Sequence, residues 1–129
     1  MNEDIIKILT INDWWDGPVI GICEYNGHHY IYERNFDLDK KDKLSYTLVS
    51  ITRNELEVIL KDWKKWVRAV EEKDLDNYYK NKDNSRKTLM DKIIKDLKNR
   101  ETIKIMAKFS GKYKKGYIPI NYIASISKI

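Results

Sequence analysis

The chain has 129 residues, with 25 Lys and Arg against 20 Asp and Glu and a formal net charge of +5, a size that fits one domain spanning residues 1–129 and burying about two-thirds of its unfolded surface. Its 42% apolar and 12% aromatic residues supply a core and exclude a wholly disordered chain. No apolar run reaches the roughly 18 residues of a membrane span; Met1 to Asp4 is acidic where a secretory signal carries positive charge, and the single Cys23 can form no internal disulfide, so the expectation is a cytoplasmic protein that meets no membrane.

Ile5 to Ile11 is rich in β-formers and opens the sheet, and Asn12 to Pro18 then carries the Asp16-Gly17-Pro18 turn. Val19 to Tyr25 and His28 to Arg34 are two β-prone runs joined by Asn26-Gly27, the pair that a type I′ turn favours because both central residues take positive φ. A two-residue turn fixes the register: Tyr25 faces His28, Glu24 faces His29, Cys23 faces Tyr30, Ile22 faces Ile31, Gly21 faces Tyr32 and Ile20 faces Glu33. One face of the hairpin then presents Val19, Gly21, Cys23, Tyr25, His28, Tyr30 and Tyr32, the other Ile20, Ile22, Glu24, His29, Ile31 and Glu33; either suits a core, and both are expected to be partly covered. Asp37 to Lys43 is a charged connection, and Leu44 to Ile51 completes an N-terminal β-meander over 5–51.

Thr52-Arg53-Asn54-Glu55 has capping-box spacing and starts a helix over about 53–72. Leu56, Ile59, Leu60, Trp63, Trp66, Val67 and Val70 recur at helical period as one apolar stripe. Glu71 to Asn84 reads as a polar connector, and a second helix follows over about 85–99. Thr102 to Phe109 alternates as a half-buried strand, Ser110 to Gly116 reads as a basic turn, and a final strand covers about 117–127, with Pro119 at its start or on an edge. The fold class is therefore α+β: an antiparallel sheet of five or six strands with two helices packed on one face.

Cys23, Glu24, His28, His29 and Glu33 form the one cluster with catalytic or ligating residue types. Neighbouring His28 and His29 leave opposite faces of a strand and cannot grip one ion together, so the cluster reads as a buried thiol and a Glu24–His29 cross-strand pair. Asp37, Asp39 and Asp42 lack the glycine and the closing glutamate of a calcium loop. No phosphate loop, nucleophile elbow or zinc-protease motif occurs. The expectation is a protein without catalytic residues, metal or cofactor.

Charge is sorted along the chain: residues 1–50 are net acidic, 51–83 are balanced, and 84–129 hold 12 bases and 3 acids. The lysine total itself follows a bias toward Lys, Ile and Asn that codon supply produces; the sorting does not. Trp14 and Trp15, adjacent on an extended segment, point to opposite sides, which frees one as an aromatic anchor beside Asp13 and Asp16.

Trp14-Trp15-Asp16-Gly17-Pro18, Gly21, Tyr25-Asn26-Gly27, Tyr30-Ile31-Tyr32-Glu33 and the Asp62-Trp63 pair in the first helix resemble small uncharacterised bacterial proteins that open with a Trp-Asp-Gly-Pro turn and an aromatic hairpin. The resemblance implies the hairpin and carries no catalytic residue.

The sequence thus points to a non-catalytic protein-binding module, of immunity or inhibitor type, acting on a basic protein through Asp13, Trp14, Trp15, Asp16, Glu24, Glu33 and Asp37. The alternative is a nucleic-acid-binding protein using Lys108, Lys112, Tyr113, Lys114 and Lys115.

Overall fold

In the computed structural model, residues 4–81 and 83–129 are described. Their elements are β1 (Asp4–Ile8), β2 (Asp13–Trp14), β3 (Pro18–Tyr25), β4 (His28–Arg34), β5 (Leu44–Ser50), α1 (Arg53–Glu71), α2 (Leu75–Asn81), α3 (Ser85–Lys95), β6 (Thr102–Lys114) and β7 (Ile118–Lys128), with 3-10 turns at Phe36–Leu38 and Leu97–Asn99. Strands β1, β3, β4, β5, β6 and β7 pair antiparallel in chain order, and β7 returns to β1, so the six-stranded sheet closes into a barrel. Asn26 and Gly27 both take positive φ, and the β3–β4 register is the one the two-residue turn dictates, from Tyr25–His28 to Ile20–Glu33.

Closure decides which side of each strand is core. The Cys23, Tyr25, Tyr30 and Tyr32 face lines the interior with Ile6, Ile8, Tyr46, Leu48, Ile105, Ala107, Tyr122, Ala124 and Ile126. Ile22, Ile31 and Val49 point outward and pack with Ile59 of α1 and with Met90 and Ile93 of α3. Both hairpin faces are therefore buried, one inside the barrel and one beneath helices. Each large side chain so enclosed is worth about 1.5–3 kcal/mol.

The closing seam is built by polar groups. β1 pairs with β3 only at Lys7–Glu24 and Ile8–Cys23. The chain then runs on along the same strand, with the Leu9 amide donating to the Ile22 carbonyl at 2.9 Å and the Asn12 amide to the Ile20 carbonyl at 2.8 Å. Thr10, fully buried, accepts the Ile22 amide on Oγ1 at 2.9 Å, and its carbonyl accepts the Tyr32 hydroxyl at 2.8 Å. Tyr32 reaches that carbonyl by lying across Gly21. A β-carbon at Gly21 would sit 2.5 Å from the Tyr32 hydroxyl and closer still to the Thr10 carbonyl oxygen.

Thr52 caps α1 through both halves of the capping box: its hydroxyl accepts the Glu55 amide, and Glu55 accepts the Thr52 amide. Glu55 also receives the Arg100 guanidinium in a fork of 2.7 and 2.6 Å, and Arg100 donates to the Ser50 carbonyl at 3.1 Å. One carboxylate thereby ties the helix start to the segment entering β6.

Several sequence expectations are revised. The sheet is a closed barrel, because β1 finds partners on both edges. The polar stretch after α1 contains α2, held by Tyr78 donating to Asp62 at 3.0 Å while Arg86 of α3 pairs with the same carboxylate at 3.2 Å. The second helix ends at Lys95 and gives way to the Leu97–Asn99 turn. Ser110 to Gly116 is no turn: β6 runs through Lys114, a register shift near Lys112 and Tyr113 absorbs an irregularity, and reversal occurs at Gly116 and Tyr117, both at positive φ. Pro119 sits in β7 opposite Tyr113, beyond the reach of β1, where a missing amide is tolerated.

Gly21→Ala should lower stability by about 3 kcal/mol or more, read as a urea midpoint shift, since backbone rather than a flexible side-chain end must yield; an unchanged midpoint would contradict the packing of Tyr32. Glu55, held by Arg100 and by the helix cap, has its carboxyl lowered from an ordinary 4.5 to about 2. A depressed carboxyl stabilises the fold above its unfolded value and loses that contribution as pH falls, so about 2 kcal/mol should disappear between pH 5 and 2. The stability gap between wild type and Glu55→Gln should close over that window; a gap independent of pH would contradict the assignment.

Candidate functional site at the barrel rim

Arg34, the last residue of β4, organises one rim of the barrel. Its Nε donates to the Asp39 carboxylate at 3.0 Å, and its Nη1 donates to the Trp15 carbonyl at 2.6 Å and to the Asp16 carbonyl at 3.1 Å. Its guanidinium also lies 4.5 Å from the centre of the Phe36 ring, and the side chain is only 6% exposed. Asp39 in turn accepts the Ser45 amide at 2.8 Å. Thus one buried cation clamps the 15–17 turn to the 36–39 turn, with its charge met by a carboxylate and two carbonyls.

What the clamp holds up is apolar. Trp15 is 69% exposed, Leu38 52% and Phe36 42%, and the Trp15 and Phe36 rings meet at 5.4 Å. Asp16, at positive φ, and Asp37 are exposed beside them. Trp14 takes the opposite direction, as strand alternation requires: its ring stacks on Tyr117 at 4.2 Å and 9° and touches Tyr113 at 5.2 Å. Rings continue inward from there, Tyr113 to Tyr122, Phe109, Tyr46 and Tyr32, each within 5.6 Å of the next. The rim aromatics are thereby joined to the packed interior.

The structure brings Asp13, Trp14, Trp15, Asp16 and Asp37 to this rim, with Asp13 accepting the Trp14 amide at 2.9 Å. Glu33 lies on the outer wall opposite Ile20, and partial burial raises its carboxyl above the ordinary range. Glu24 is at the far end of β3, 3.9 Å from His29 and about 20 Å along the strand from Pro18. Cys23 is enclosed in the core, and burial pushes its thiol up, away from thiolate chemistry. The carboxylate of Asp39 is taken by Arg34. Among the described residues no three His, Cys, Asp or Glu side chains converge on one point, and no described helix is long and apolar enough to cross a membrane.

Lys108, Lys112, Lys114 and Lys115 are exposed on the β6–β7 hairpin, whose Tyr113 is the ring that meets Trp14. Of the acidic set singled out in the sequence, Asp13, Asp16 and Asp37 thus share the rim with Trp14, which meets the basic hairpin through Tyr113, whereas Glu24 and Glu33 lie away from it. Arg34, Phe36 and Leu38 went unread in the sequence. Their one signal was a Phe-Asp-Leu triplet inside an otherwise charged connection, where apolar residues have no strand or helix to join. No family model, curated protein or solved structure matches this chain, so its function is argued from geometry alone.

The geometry assigns the two indoles different environments. Acrylamide should quench a readily accessible component of the fluorescence that disappears in Trp15→Phe and persists in Trp14→Phe. Equal loss in both variants would contradict the placement.

Proposed function

We propose that the protein is a non-catalytic protein-binding module, of inhibitor or immunity type, whose working surface is the Trp15, Phe36 and Leu38 patch flanked by Asp16 and Asp37. The observation that carries this reading is an indole 69% exposed on a turn whose two carbonyls accept from the enclosed Arg34 guanidinium. Tryptophan dominates interface energetics when it fills a partner's pocket, and an anchor fixed in advance loses little conformational entropy on binding. The carboxylates beside it select a partner whose apolar pocket is rimmed by Lys or Arg, and they speed encounter rather than add affinity. Lys40, Lys41 and Lys43 belong to the neighbouring turn, closed by its own Lys40–Lys43 bridge.

A photo-crosslinking residue at position 38 tests the reading. It should trap one discrete basic protein, and affinity for that purified protein should fall about thirtyfold or more in Trp15→Ala. Asp16→Lys with Asp37→Lys should slow association while leaving dissociation nearly unchanged. A partner whose affinity is indifferent to Trp15→Ala and Phe36→Ala would overturn the assignment of this surface.

A further inference from the structure

The β6–β7 hairpin forms a second surface, independent of the Trp15 patch. Residues 102–129 hold six lysines and no acidic residue, which codon bias toward lysine does not explain, since the rest of the chain mixes both signs. β5 accompanies β6 only as far as Ala107, and β1 accompanies β7 only from Ile123 to Ile126. From Lys108 to Tyr122 the hairpin therefore continues as an arm of two strands with no third strand beside it, folded against the rest of the molecule through Ile118 and Tyr122.

Alternation sets Lys104, Lys108 and Lys112 on the outer face of β6, successive lysines about 13 Å apart, with Ser125 opposite Lys108 and Asn121 opposite Lys112. Lys114 and Lys115 lie at the tip, next to the reversal. Tyr113, on the other face of β6 by the same alternation, and Tyr117 lie at the tip 43% and 40% exposed, Tyr117 stacked on Trp14 and Tyr113 tilted against both Trp14 and Tyr117. The tip itself is seated on α1, where Gly116 lies against Trp66 and Val70. Lys114 meets Glu71 at 3.5 Å, a half-exposed pair that a phosphate can replace.

We infer that this arm binds single-stranded nucleic acid, with Lys108, Lys112, Lys114 and Lys115 meeting phosphates and Tyr113 and Tyr117 stacking bases. Lysines alone would serve any polyanion. The exposed rings held on a packed base favour a strand whose bases are free to stack, since in a duplex the bases already stack on one another.

Fluorescence anisotropy with a labelled oligothymidylate and a duplex of equal length, each titrated at several salt concentrations, tests the inference. Four phosphate contacts should give a log–log salt slope of about −3 for the single strand, and Tyr113→Ala should weaken that strand about tenfold or more with little effect on duplex. Because Tyr113 also packs on Tyr122, the decisive variant is the fourfold Lys→Ala change at 108, 112, 114 and 115. It should flatten the slope toward zero, while Lys→Ala at 40, 41, 43 and 87, which removes the same charge elsewhere, leaves the slope unchanged. Equal losses in the two fourfold variants, or duplex bound as tightly as single strand, would overturn the inference, and neither result bears on the Trp15 surface.

Discussion

The structure depends on the buried hydrogen bonds that close the barrel around Thr10. Tyr32 crosses Gly21 to donate to the Thr10 carbonyl, and Tyr46 donates to the Pro18 carbonyl. Both phenols are enclosed, and burial pushes both well above the ordinary tyrosine range. An unpaired hydroxyl in that interior would forfeit about 1–3 kcal/mol, which makes the 10–18 segment the obligatory partner of the tyrosine core. The hydrogen bonds that close the barrel also hold that segment along its rim.

That segment carries Trp14 and Trp15. Being extended, it sends one indole toward the β6–β7 arm and the other out beside Phe36, and Arg34 then fixes the outer one through backbone carbonyls rather than through the ring. The outer lobe is apolar with carboxylates, the inner lobe is aromatic with lysines. The acid-rich start and base-rich end of the sequence are far apart in the chain and become neighbours because β7 pairs with β1. The two lobes share one rim and differ in chemistry.

Local devices were legible in the sequence. Asn26-Gly27 set all six cross-strand pairs of the hairpin, Thr52 and Glu55 set the helix start, and alternation split the two indoles. Closure was not, because β1 meets β7 across nearly the whole chain and nothing near Ile5 encodes an edge 120 residues away. The stretch Ser110 to Gly116 has turn composition, yet Gly111 takes positive φ within a paired strand, where a β-carbon would strike Asn121 of β7. α2 buries none of its residues, and its anchorage through Tyr78 to Asp62 of α1 is tertiary. Within the rim, the tryptophans were visible, whereas Arg34 read as the unremarkable end of a strand because its role lies in two loops that only the fold brings together.

β1 closes the barrel by pairing on both edges. Solution NMR tests it directly through cross-strand nuclear Overhauser effects on uniformly labelled protein. The account predicts contacts from the Ile6 backbone to Ala124 of β7 together with contacts from the Ile8 backbone to Cys23 of β3. Contacts to β7 without any to β3 would describe an open sheet, leave Tyr32 without its Thr10 acceptor, and contradict the account.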